Sequence, residues 1–208
     1  MPSNPARPLR AYLPAALIGL LILDGLLLWL SPAEQTLGQV VKLVYLHGAL
    51  ISTCMIGFIV AGILGLIWFI VRKTVLLRWL MALQRATAVT WVIYLLSSMW
   101  VTYMAWGVAI AWGEPRVVAT IRVTLAVAVI LIVTEIVKMP LLTAAGNALL
   151  GIVVMVIIES AGVIRHPIDP IGASNSASIQ WFYAGIMLTT IAALGALTAL
   201  IHRRTRPD

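Results

Sequence analysis

Six runs of apolar residues, near positions 12–30, 44–71, 83–111, 117–138, 143–164 and 178–201, dominate the chain. Each is long enough to cross a bilayer as a helix, which takes about 20 residues. Peptide groups in lipid have no water to bond, so a spanning segment must be a helix or belong to a closed barrel. A barrel strand alternates polar and apolar residues, and none of these runs does so. The expected fold class is an all-α integral membrane protein: one transmembrane domain over residues 1–208, built as a bundle of six transmembrane helices. The third run exceeds a straight crossing, so its far end, "WGVAIAW", is expected to emerge or lie along the interface.

Composition supports the same class. Of 208 residues, 62% are hydrophobic and 10% charged, whereas a soluble domain is about half apolar. The formal charge of +7 would suit a nucleic-acid partner, but the cations cluster in the connections and form no basic face. They act instead as topology signals. Arg7, Arg10, Arg72, Lys73, Arg78, Arg85, Lys138, Arg203, Arg204 and Arg206 fall on one side of a six-helix path, against Lys42, Arg116, Arg122 and Arg165 on the other. The positive-inside rule then makes both termini cytoplasmic and turns the connections near 31–43, 105–117 and 165–177 outward. The expected location is the cell inner (plasma) membrane, with the first run kept as an uncleaved helix because it is long and "LSPAEQ" is a poor cleavage site.

Three histidines follow from this topology. His47 lies near the outer end of the second span and His166 just beyond the fifth, on the same membrane face. His202 lies in the basic tail at the other face and is expected to be a solvated end residue. His47 alone could be a polar residue bonded to a neighbouring helix, as membrane bundles often use. With His166 it offers two imidazoles at one depth, the donors that a bis-His haem site requires. Zinc would need three or four ligands, and no cysteine or carboxylate cluster accompanies the pair. The single cysteine, Cys54, excludes a CxxCH attachment, so haem would be held without thioether bonds, as haem b.

Further residues fit that site. Trp100, Tyr103, Trp106 and Trp112 crowd the end of the third span, either as a face for a porphyrin or as an interfacial aromatic belt. Arg116, Arg122 and Arg165 are candidate partners for haem propionates through charge-assisted hydrogen bonds. For Arg122 the alternatives are snorkelling to the interface or pairing with Glu159. Glu135 and Lys138, three residues apart, are expected to pair, and Asp24 to sit protonated in the bundle or to cap a polar contact. Gly57, Gly62 and Gly65 in the second span, with Gly146 and Gly151 in the fifth, are expected to let these two helices pack closely. No P-loop, nucleophile elbow, dinucleotide fingerprint or HExxH motif is present, and an enzyme is not expected.

Three segments carry a family resemblance. "SPAEQTLGQVVKLVYLHGA", Ser31 to Ala49, resembles the entry to the second helix of the CcmC/CcsA haem-handling family of cytochrome c assembly. Glu34, Gly38, Lys42, Tyr45 and His47 stand where that family has its acidic residue, turn glycine, basic residue, aromatic and axial histidine. "AWGEP", Ala111 to Pro115, is similar to the end of the family's third helix. "ESAGVIRHP" followed by "SASIQWF" is similar to its second histidine region, so His166 matches the second axial ligand. The tryptophan-rich loop that presents haem in the family is absent: after Pro115 the chain reads "RVVATIRVT", and "WVTYMAWG" has Gly107 in place of the aspartate. The resemblance implies a protein that receives b-type haem and delivers it at the outer face to a chaperone, ligase or transporter subunit of a cytochrome c maturation system. The alternatives from other classes are a membrane electron-transfer b-type cytochrome and a haem-free transporter or scaffold subunit.

Overall fold

The computed structural model describes residues 6–164, 171–172 and 174–205, with side chains described from residue 12 onward. Six α-helices follow one another: α1 (Ala6–Leu30), α2 (Val41–Val71), α3 (Thr74–Trp106), α4 (Pro115–Val137), α5 (Pro140–Glu159) and α6 (Ala177–Arg204). All six are long and apolar enough to cross a membrane. Among the described residues there is no strand beyond one isolated bridge, between Glu34 and Gly38. Arg165, His166 and the rest of 165–170 lie outside the described residues, and so do the candidate roles given to those two side chains.

Two of the turns use one device. Arg72 and Lys138 end α2 and α4 in the left-handed region, at φ 52° and 53°, and each donates its amide to the carbonyl four residues back. The next residue, Lys73 or Met139, is extended and begins the following helix. Pro140 at the first position of α5 and Pro115 at that of α4 need no helical amide partner, so proline opens these helices without loss. Such tight reversals join α2 to α3 and α4 to α5 at the arginine-rich end of the bundle. This is called the His202 end below, and the opposite one the His47 end.

Helix α3 begins at Thr74, well before the expected 83, because the polar stretch around Arg78 and Arg85 remains helical. Its far end closes at Trp106, where Gly107 takes φ 73° and donates to Tyr103 O. Residues 107–114 then leave the helix, as the excess length of the third run foretold.

Helix α2 is the central element, with extensive packing against α5, α3 and α6, while α1 leans mainly on α6 and α4 on α5. Small residues set the α2–α5 approach. A Cβ on Gly65 would stand 2.5 Å from Ala144 O, one on Gly62 3.3 Å from Asn147 O, and one on Gly151 3.0 Å from Phe58 O. These helices therefore touch backbone to backbone, which dispersion rewards where no hydrophobic effect operates between them. Gly57 and Gly146 serve other seams: Gly57 faces Thr87 of α3 and Leu194 of α6, and Gly146 faces Ile130 of α4.

Candidate functional site

The segment leading to His47 is folded by its own polar side chains. Glu34 Oε2 accepts the amides of Thr36 at 2.9 Å and Leu37 at 2.8 Å. Gly38, at φ 54°, allows the chain to reverse and donate to Glu34 O at 2.7 Å. Those backbone bonds, that from Leu37 foremost, hold the Glu34 carboxyl below its ordinary value. Lys42 Nζ donates to Trp29 O at 2.7 Å and the Tyr45 hydroxyl to Pro32 O at 3.3 Å, tying the start of α2 to the end of α1. Four of the five residues behind the resemblance thus fix the register of the α1–α2 connection. The fifth, His47, points elsewhere.

His47 lies half-buried one and a half turns into α2, with its ring centroid 5.0 Å from that of Tyr94 in α3 and the two planes tilted by 30°. Tyr94 continues the cluster: its ring is 4.8 Å from that of Trp91, and its hydroxyl shares a 3.1 Å hydrogen bond with Thr120 of α4. Trp91 Nε1 donates to Thr124 Oγ1 at 3.0 Å, four residues further along the same face of α4. Arg116, one turn before Thr120, lies within electrostatic reach of the Tyr94 hydroxyl. Its Nε is buried and has no hydrogen-bond partner among the described residues. Leu46, Leu50, Cys54 and Leu95 supply the apolar surroundings. The result is an imidazole, a phenol and a guanidinium gathered at the His47 end of α2, α3 and α4.

The tryptophans and the second arginine stand apart from that cluster. Trp100 and Tyr103, at 60% and 59% exposure, occupy the outward face of α3, and Trp106 is half-buried at the helix end. Trp112, 68% exposed, follows in the 107–114 connection. It borders a cleft of about 360 Å³ between α4 and α5, together with Arg122 and Ser160. Arg122 and Arg116 are six residues apart on one helix and so project to different sides of it. Only Arg116 shares the face of Thr120 and Thr124. The cations proposed as one set are therefore divided between two places.

Other expectations are corrected. Glu135 forms its ion pair with Arg85 across α3 and α4, through bonds of 2.5 and 2.8 Å; Lys138, the left-handed cap of its helix, acts on Glu135 only as a nearby charge. His202 is 1% exposed and stacks on Trp79 at 4.0 Å and 10°, so it belongs to the packed α3–α6 seam and not to a solvated tail. Asp24, by contrast, takes one of its two expected roles: it accepts hydrogen bonds from Thr189 and Thr190 of α6 as a polar contact between α1 and α6.

Two residues of the His47 end carry no simple sequence signal. Tyr94 reads as one more apolar-face aromatic in a 33-residue helix. Glu114 is almost wholly buried and accepts the amide of Ile164 at 3.2 Å, linking the 107–114 connection to the chain beyond α5. Within "AWGEP" that carboxylate has no role the sequence alone assigns. Among the described residues, no three His, Cys, Asp or Glu side chains gather as metal ligands. No model of a known protein family matches this sequence, and no curated protein matches it.

Proposed function

We propose that this protein is a haem-handling membrane protein of cytochrome c assembly, which takes up b-type haem and passes it, at the outer face, to an acceptor. The observation that carries this reading is the company of His47: an imidazole at a bundle end beside Tyr94, with Arg116 presenting a buried guanidinium nitrogen that has no acceptor among the described residues. That donor set fits the cargo. Haem supplies an iron that takes imidazole as axial ligand and propionates that take arginine as partner.

In this scheme His47 holds the iron from α2 and His166 supplies the second imidazole. Tyr94 flanks the His47 ring at 5.0 Å, tilted by 30°, with its own hydroxyl anchored on Thr120. Arg116 carries the charge complement for a propionate. The Lys42 and Tyr45 bonds to α1 hold the mouth of the site in register. A single pair of axial nitrogens, with no covalent attachment, suits cargo that must leave as well as enter.

The test is transfer. The full-length protein, produced with haem supplied and purified in detergent, is mixed with excess apomyoglobin. A handler loses its haem to the acceptor, whereas a resident electron-transfer cytochrome keeps it under the same conditions. In His47→Gly, added imidazole is expected to restore haem retention. Purified protein without haem, or transfer unchanged in His47→Gly, overturns the proposal.

A further inference from the structure

The cleft between α4 and α5 lies outside the His47 cluster and has a composition of its own. Its walls come from Val118 and Ala119 of α4 and from Ile157 of α5, and its rim from Trp112, Arg122 and Ser160. Arg122 is exposed, forms no ion pair among the described residues, and stands seven residues inside α4, roughly 10 Å of rise from Pro115. In a spanning helix a guanidinium at that depth needs an anion or a route to water, since its burial in lipid is costly. Glu159 and Glu114 do not supply the anion. Glu159, at the cleft end of α5 beside Ser160, is exposed and forms no ion pair with Arg122, and Glu114 is buried against Ile164 N.

Below Arg122 the same two helices turn an apolar strip outward. Leu125, Val129 and Ile132 of α4 and Leu149, Ile152 and Val156 of α5 are all exposed, and Ile152 and Val156 also border the groove between α2 and α5. The spacings of three and four residues keep each set on one face of its helix. The strip continues from the cleft for about two to three turns, the reach of much of an acyl chain. Charge, hydroxyl and indole thus stand at the head of an apolar track.

We infer that this cleft binds an anionic glycerophospholipid, with Arg122 and Ser160 on the phosphodiester, Trp112 at headgroup depth and one acyl chain along the α4–α5 strip. The guanidinium satisfies the lipid phosphate through charge-assisted hydrogen bonds. The indole favours the interface, where one edge is wet and the ring is apolar. A free phosphate ion would meet only the head of this site, so the lipid is the occupant to which both halves are fitted.

Native mass spectrometry of the full-length protein in detergent tests this with three probes: phosphatidylglycerol, phosphatidylcholine and inorganic phosphate. Phosphatidylglycerol is expected to bind about tenfold more tightly than phosphatidylcholine, the scale of a charge-assisted hydrogen bond. Inorganic phosphate is expected not to displace it. The preference is expected to vanish in Arg122→Gln, with the Soret band of haem-loaded protein unchanged. Val118→Trp, which fills the cleft and leaves the arginine in place, is expected to weaken both lipids. Equal binding of phosphatidylglycerol by wild type and Arg122→Gln overturns the inference. So does displacement by inorganic phosphate, or loss of haem from Arg122→Gln while lipid binding persists, which would assign the guanidinium to a propionate. The lipid readout does not depend on haem, so its failure is distinct from that of the proposed function.

Discussion

At the level of single residues, polar side chains were harder to assign than apolar ones, because a charge seeks partners across helices that a linear sequence does not align. Glu135 illustrates this. Lys138 is its near neighbour in the chain, yet the bidentate partner is Arg85, fifty positions away on α3. Arg85→Ala is therefore expected to lower thermal stability in detergent, with a coupling to Glu135→Gln of roughly 1 kcal/mol or less in a double-mutant cycle, given that the pair is partly exposed. Lys138→Ala is expected to show a weaker coupling, since its charge acts on Glu135 without an ion pair. His202 was misread for a related reason: its basic neighbours suggested solvent, while its stacking partner Trp79 belongs to another helix. His47 was legible because an imidazole inside an apolar run is conspicuous, whereas Tyr94, its ring partner, looks like any aromatic in an apolar helix.

Glu34 gives the pH dependence at this scale. Its folded pKa is depressed by the backbone amides of Leu37 and Thr36, so its contribution to the α1–α2 connection is complete above the ordinary carboxyl value and is lost as pH falls through the lower folded value. Protection of the 34–38 amides from hydrogen exchange is expected to drop on acidification below about pH 4, following the reference carboxyl range. Glu34→Gln is expected to remove that dependence.

At the level of elements, the six helices were legible from apolar run length, since spanning segments in lipid admit few alternatives. Their boundaries were less so. The start of α3 lies nine residues earlier than its apolar run suggests, because the polar stretch around Arg78 continues the same helix. The glycines told of close packing in the α2–α5 seam but not which of them serve it, as helix phase decides that and sequence spacing alone does not. Gly65→Ala is expected to destabilise the protein by about 1 to 3 kcal/mol, since its new methyl would press on Ala144 O and force the backbones apart. Gly19→Ala, in open space on α1, is expected to be neutral or slightly stabilising, and thermal melts of the two variants in one detergent make the comparison.

At the level of the whole molecule, the cations sort by end. Arg72, Lys73, Arg78, Arg85, Lys138, Arg203 and Arg204 gather toward the His202 end, and Lys42, Arg116 and Arg122 toward the other. Under the positive-inside rule, the proposed function has His47 on the outer face, where an acceptor for haem would wait. The two proposals fall on separate places: the α2–α3–α4 junction gathers the imidazole, phenol and buried guanidinium, and Arg122 stands at the α4–α5 cleft. The sequence pointed to both arginines but could not separate them, because their division depends on which face of α4 meets α3. The most direct measurement of the central claim is the absorption spectrum of the purified full-length protein, prepared with haem supplied, beside His47→Ala. Ligation of haem iron by His47 predicts a low-spin Soret band in the wild type that shifts or disappears in the variant. A wild type without a Soret band, or two superimposable spectra, would contradict it.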